Sequence, residues 1–283
     1  MKTITPTISM LRMLASIKGE HWMIRPDMIE RHALAALDVP SFKSESDDDE
    51  EDYFITRPEP AIDANGVGRV SVAGTLLDSC PPIYERLGIV TCYPTIINEA
   101  QSLIAKGARS ILFVVDSPGG MVGGNAETCG AIKSLGVPTA AFAVGMACSA
   151  AYKIAASTDL IIATPSAEVG NIGVILSWAD CTGFWQEMGI EMKALTNKGA
   201  DLKSTFHLEP NANQLVFLQE KIDQMGADFR EWIETNRPQV DAEVFRAGWY
   251  CGLAAESMGL IDGMGTIEDA SEELATRNFD IGK

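Results

Sequence analysis

Between residues 66 and 163 the chain alternates short apolar runs with segments whose apolar positions recur at helical spacing. Val67–Val72, Ser110–Val115, Thr139–Val144 and Leu160–Ala163 predict strands. Tyr93–Lys106, Asn125–Leu135 and Ser149–Ala156 predict the helices between them. Apart from Val67–Val72, which carries Arg69 and Ser71, the strand segments are apolar at nearly every position, which fits strands covered on both faces rather than strands with one wet side. Strands of that kind separated by helices imply βαβ crossovers and an α/β fold. Further on, Ile190–Leu195 predicts another strand and Gln214–Thr235 a long helix.

Upstream the pattern changes. Residues 7–37 carry spaced apolar positions (Met10, Leu11, Leu14, Ile17, then Met28, Ile29, Leu34, Leu37) that predict one or two short amphipathic helices parted near Pro26. The run Ser44–Asp52 follows, in which seven of the eight positions from Glu45 to Asp52 are acidic, broken only by Ser46. Such a stretch has no apolar surface to bury and predicts a solvated linker. The expected organisation is a helical N-terminal extension over 1–43, an acidic flexible linker over 44–65 and one compact domain over 66–283.

Charge and cysteine usage narrow the partners. A net charge of -17 argues against nucleic acid, because phosphate contacts need clustered Lys and Arg. The six cysteines are scattered, with no C-x-x-C pair to suggest a zinc ribbon or a redox site. They are expected to be reduced thiols. No apolar run approaches bilayer length and no signal-peptide core is visible, so the expectation is a cytoplasmic protein without a membrane anchor.

Two glycine-rich turns are the candidates for chemistry. Asp116-Ser117-Pro118-Gly119-Gly120-Met121-Val122-Gly123-Gly124 follows a buried strand and precedes a helix. Its backbone N–H groups suit an anion or an oxyanion. It lacks both the Gly-Lys-Ser/Thr ending and the G-x-G-x-x-G spacing of phosphate-binding loops. Read alone, it is also a plain strand-to-helix turn. In Val144–Tyr152, Ser149 opens a helix after a buried strand, among small neighbours that leave room for a substrate carbonyl. Serine is equally a preferred helix N-cap, so this segment by itself leaves both readings open.

A nucleophilic serine needs a base. His21 and His32 lie in the N-terminal extension, which leaves His207 alone in the main domain, with no pattern to support it. A lysine can serve once burial or nearby positive charge lowers its pKa. Lys153 lies on the same helical face as Ser149 but a turn away from where substrate enters. Lys198 and Lys203 follow the strand expected at Ile190–Leu195. Each lysine alone reads as an ordinary surface charge.

Taken in order, Asp116–Gly120, the Ala147–Tyr152 serine turn, Val169-Gly170-Asn171-Ile172-Gly173-Val174 and the segments Phe245–Gly248 and Ala254–Gly263 resemble the signal peptide peptidase A-type serine peptidases. The resemblance runs from about residue 66 to 270. Within that family, Gly88–Tyr93 and the N-terminal extension resemble the soluble phage head-maturation proteases of the minor capsid protein C type. The resemblance implies a crotonase-like (Clp-protease-like) fold, a Ser-Lys dyad, cleavage of proteins or peptides, and a homo-oligomer. It implies Ser149 as nucleophile, Gly120 and Ala150 as oxyanion-hole donors, and a base in a downstream G-x-x-K segment. Here Gly199-Ala200-Asp201-Leu202-Lys203 carries one extra residue. Lys203 is the expected base, with Lys198 and then Lys153 as alternatives. Cys148, where relatives have a small residue, is expected to pack in place.

The implied chemistry is acyl transfer without metal or cofactor. Its implied substrates are scaffold or capsid proteins during phage head assembly. Three rival readings follow from the same residues: an anchor-free cellular peptidase of signal-peptide type, a catalytically inactive minor capsid or scaffold protein, and a crotonase-type acyl-CoA enzyme. The last has no catalytic carboxylate pair in evidence.

Overall fold

The computed structural model describes residues 21–24, 57–177, 182–191, 193–203 and 209–276. Two sheets organise them, and two strands turn out of one sheet into the other. In the large sheet, β3 (Val67–Ala73), β6 (Ser110–Ser117) and β8 (Thr139–Cys148) run parallel and form the centre. On its far side β8 pairs first with β9 (Leu160–Ala163) and then with β10 (Glu168–Gly170), both parallel. β2 (Ala61–Ile62), β12 (Trp249–Tyr250) and β13 (Gly263–Met264) complete an eight-stranded sheet. The parallel core agrees with the α/β reading, because parallel neighbours require the crossovers that the helical segments supply.

Over their apolar runs β6 and β8 are buried on both faces, while β3 alternates buried and half-buried positions. Ile111, Phe113 and Val115 of β6 join the main core, while Leu112 between them joins a smaller cluster on the opposite face. That alternation is the period of two that any strand imposes on its side chains. The main core is covered by α2 (Tyr93–Ala105), α3 (Asn125–Lys133) and α4 (Ala150–Ala155), the first helix, α1, being the short Pro82–Arg86. Tyr93, Ile96, Ala100 and Leu103 of α2 face inward at helical spacing. Burying one such aliphatic or aromatic side chain contributes about 1.5–3 kcal/mol. On the opposite face Ala270 and Leu274 of the last helix, Ile267–Thr276, close the smaller cluster.

The small sheet has the order β11 (Ile175–Leu176), β1 (His21–Ile24), β7 (Gly119–Met121), β4 (Thr75–Leu77), β5 (Val90–Cys92). β3 passes into β4 through Gly74, and β6 passes into β7 through Pro118. Gly74 has φ 67°, and a Cβ there would lie 2.1 Å from the Ile89 carbonyl oxygen, so this corner admits only glycine. The Ser117 hydroxyl donates to the Gly74 carbonyl at 2.6 Å and fastens the two corners together.

The N-terminal part departs from expectation. Residues 21–24, inside the stretch read as helical, form β1 of the small sheet. The remainder of the helical reading, the acidic run and His32 lie outside the described residues. The domain also begins before residue 66, because β2 pairs with β3 and the Arg57 guanidinium donates to Glu99 at 2.9 Å and to the Ser71 carbonyl at 2.6 Å. Two readings downstream need correction as well. No strand forms among the described residues of 190–195, where every described side chain is exposed. Cys80 and Cys92, read as scattered thiols, lie side by side with Cα atoms 6.5 Å apart. Nothing in their spacing announced this, since the fold brings a loop cysteine to the edge strand β5.

The long helix Ala212–Asn236 matches its expected span closely and opens on a capping box between Asn211 and Gln214. Its far end is pinned by buried Arg237, which donates to both Asp262 carboxylate oxygens at 2.8 and 2.9 Å. Asp262 also accepts the Ile161 N–H at 2.7 Å, so one carboxylate ties this helix to β9. Among the described residues no helix is long and apolar enough to cross a membrane.

Candidate active site

β8 ends at Cys148 and α4 begins at Ala150, so Ser149 alone makes the junction. It does so at φ 56° and ψ -118°, a conformation that residues with a Cβ rarely adopt. Its N–H donates to the Gly170 carbonyl at 2.7 Å and its carbonyl accepts from the Lys153 N–H at 3.0 Å. Its hydroxyl makes no N-cap hydrogen bond and instead donates to the Gly173 carbonyl at 3.4 Å. The capping reading of Ser149 is therefore not the one the fold uses. A non-glycine residue held in such a region costs about 1–3 kcal/mol and persists only where its surroundings over-determine it. A serine on a strained strand-to-helix turn is also the arrangement that exposes a nucleophile in other hydrolase folds.

The surroundings are specific. The loop after β10 is held by Asn171, which has φ 53°. Its N–H donates to the Gly248 carbonyl at 2.7 Å and its side-chain amide to the Ala247 carbonyl at 2.8 Å. Ala247 itself sits at φ 60°. Two sequence segments some 76 residues apart, Val169–Val174 and Phe245–Gly248, thus meet behind the Ser149 hydroxyl. Asn171 and the Gly173 carbonyl were not singled out from the sequence, where the segment carried only a resemblance. Glycine and asparagine side by side, both tolerant of positive φ, were the available signal.

The glycine-rich turn lies beside this junction, because α4 packs against β7. Gly120 is paired with Leu76 of β4 so closely that a Cβ would sit 1.9 Å from the Leu76 carbonyl oxygen. Ala150 is fully buried, and its carbonyl accepts from the Asn125 side-chain amide at 3.1 Å. Ala150 follows Ser149 directly, and Gly120 lies in β7, against which α4 packs. Cys148 is buried and its thiol donates to the Glu168 carbonyl at 3.4 Å, toward β10, as expected for a packed residue.

The lysines separate sharply. Lys153 is 6% exposed, and its ammonium lies 5.6 Å from the Phe229 ring centre and 5.5 Å from that of Trp232. Both rings belong to the long helix, so this cation is held by aromatic faces in the contact between two helices. Burial pulls its pKa below the ordinary lysine range, against the pull of Cys129, Asp228 and Glu127. Burial likewise pushes the neighbouring Cys129 thiol up to about 11, so that group stays protonated and inert at neutral pH. Lys198 and Lys203 are exposed, in the turn region 197–203. The Lys203 N–H donates to the Ala200 carbonyl, and its own carbonyl accepts from Gln214 at 3.2 Å. Among the described residues no side-chain hydrogen bond joins the Ser149 hydroxyl to Lys153, Lys198 or Lys203. His207 lies outside the described residues.

Comparison with known proteins extends the same region. The model of peptidase family S49 matches residues 131–279, which hold Ser149, all three lysines and the Asn171–Ala247 contact. The chain is 28% identical over 172 residues to a putative protease of Methanocaldococcus jannaschii, covering 59% of this chain and 55% of that protein. It is 26% identical over 248 residues to the head-tail preconnector protein of Enterobacteria phage P21, covering 85% and 48%. It is 24% identical over 231 residues to capsid assembly protease C of Escherichia phage lambda, covering 75% and 51%. The chain spans about half the length of the curated relatives it matches. A family match over more than half of the residues, which contains the strained serine junction and the loop that backs it, means that the chain belongs to peptidase family S49.

Proposed function

We propose that the protein is a serine endopeptidase of crotonase-like fold, with Ser149 as nucleophile and Lys203 as general base. The observation that carries this reading is Ser149 itself: a buried hydroxyl on a strained strand-to-helix junction, beside a glycine strand and not spent on capping its helix. In the proposed reaction neutral Lys203 takes the Ser149 proton as Oγ attacks a peptide carbonyl. The Gly120 and Ala150 N–H groups stabilise the oxyanion, and the lysinium returns its proton to the leaving amine. Water then hydrolyses the acyl-enzyme. No metal or cofactor enters the scheme.

Lys203 is favoured over Lys153 because the Lys153 ammonium is engaged with Phe229 and Trp232, on the long helix. The exposed Lys198–Lys203 turn needs a further contact to hold it at the nucleophile. Packing of the chain into a homo-oligomer is the contact we infer. The substrates we infer are scaffold or capsid proteins of a phage head, a reading supported by the names of the phage P21 and phage lambda relatives.

The test is labelling with a fluorophosphonate probe. Wild type should label and Ser149→Ala should not, with residual peptidase activity down by about 10³-fold or more. A folded, assembled wild-type protein that never labels would instead favour an inactive structural component of the head.

A further inference from the structure

β1 is placed as a peptide ligand would be. Residues His21–Ile24 run antiparallel to β7, with Trp22 opposite Met121, Met23 opposite Gly120 and Ile24 opposite Gly119. On its other side β1 runs antiparallel to β11, with His21 opposite Leu176 and Trp22 opposite Ile175. β7 carries the candidate oxyanion donor Gly120. β11 directly follows the loop whose Gly173 carbonyl holds the Ser149 hydroxyl. Among the described residues, β1 is the sole strand that connects β11 to β7. Without β1, two strand edges would face each other across an open slot lined with unpaired backbone groups, which is the template for an added extended peptide.

Two further observations fit a filled slot. Met23, opposite Gly120, is 2% exposed and joins the main core, so the slot takes an apolar side chain at that register. Ser149 is 1% exposed, and a hydroxyl that closed off cannot meet an external peptide carbonyl until something moves. β1 is four residues long and belongs to the small sheet, so its departure leaves the parallel strands of the large sheet paired.

We propose that residues 21–24 occupy the substrate slot as a built-in competitor, and that external substrates are extended peptides that displace this strand and present an apolar residue opposite Gly120. The inference rests on the reading of Ser149 as nucleophile. An external substrate would exchange one set of strand hydrogen bonds for another, so the net cost of displacement is set mainly by Met23 leaving its buried site.

Full-length protein carrying Met23→Asp tests this, since a carboxylate is costly in an apolar site and should expel the strand. Met23→Asp is expected to label with fluorophosphonate on the order of ten-fold faster than wild type, and Met23→Leu at the wild-type rate. A synthetic peptide of residues 18–27 should slow labelling of Met23→Asp, and the same peptide with Asp at the methionine position should not. In wild type, a peptidyl phosphonate ending in methionine should raise hydrogen exchange in residues 21–24 and leave residues 67–73 unchanged. This last measurement stands even if Met23→Asp misfolds. Equal labelling rates in folded wild type and variant, or unchanged exchange in 21–24 on phosphonate binding, would overturn the occupancy alone. Absence of labelling in both proteins would sink the Ser149 reading and this inference with it.

Discussion

The Ser149 junction and the lysine-bearing turn at 197–203 are built on opposite principles. Ser149 is buried, its backbone is bonded on both sides, and the loop behind it is cross-braced by Asn171 to Ala247 and Gly248. Lys198 and Lys203 are exposed, and the turn that carries them is held mainly by short-range backbone bonds and by Gln214. One half of the proposed dyad is thus fixed by the fold itself. The other half depends on what comes to rest against the surface. The lesson concerns preorganisation: a group can be strained into place only where packing supplies the restoring force, and an exposed turn has little to push against.

Three experiments would break or sharpen that contrast. The largest effect should come from the exposed side. Lys203→Ala is expected to lower peptidase activity by about 10²–10⁴-fold, the range of a lost general base, whereas Lys198→Ala should stay within a few-fold. If the two outcomes were exchanged, the extra residue in the Gly199–Lys203 segment would have shifted the base to Lys198. Equal, small effects in both would leave the turn without a catalytic role.

The middle effect concerns strain. Ser149→Gly should melt at higher temperature than Ser149→Ala, because glycine accepts φ 56° without a Cβ penalty. The difference should be about 1–2 kcal/mol, since some of the relieved strain is offset by glycine's greater unfolded-state entropy. Thermal or urea denaturation of the two inactive variants would show it. Equal stabilities would mean that the junction stores no strain.

The smallest effect belongs to Lys153. Burial lowers its folded-state pKa below the ordinary 10.5, so the unfolded chain binds the extra proton between the two values. Its contribution to stability therefore rises as pH climbs through that window and is least favourable below it. Lys153→Met removes the titration while keeping a chain of similar length. The stability of the variant relative to wild type should be greatest near neutral pH and shrink toward pH 10. A pH-independent difference would mean that the ammonium is better solvated than its aromatic surroundings imply. Retained fluorophosphonate labelling in the same variant would separate Lys153 from catalysis.

The strands and helices from residue 67 to 163 were legible because each is a local pattern: apolar runs for doubly covered strands, helical spacing for the layers over them. The helices Asn125–Lys133 and Ala212–Asn236 differ from expectation only at their ends. The failures share a cause. Residues 21–24 carry an apolar pattern that a helix or a strand could use, and only the open edges of β7 and β11 select the strand. Ile190–Leu195 looks like a strand by composition, but among the described residues no neighbouring strand pairs with it, and a strand without a partner does not form.

The candidate site divides along the same line. The sequence alone set a serine among small residues after a buried strand, a glycine-rich turn after another, and a main domain whose one histidine, His207, has no pattern to support a triad. Those are properties of neighbours in sequence, and local chemistry suffices to read them. Only the tertiary structure decided that Ser149 would leave its helix uncapped and turn its hydroxyl to Gly173. It alone decided that Lys153 would spend its charge between Phe229 and Trp232, and that β1 would lie against Gly120. Each of those depends on contacts between segments far apart in the chain, and their geometry exists only once the core has brought the segments together.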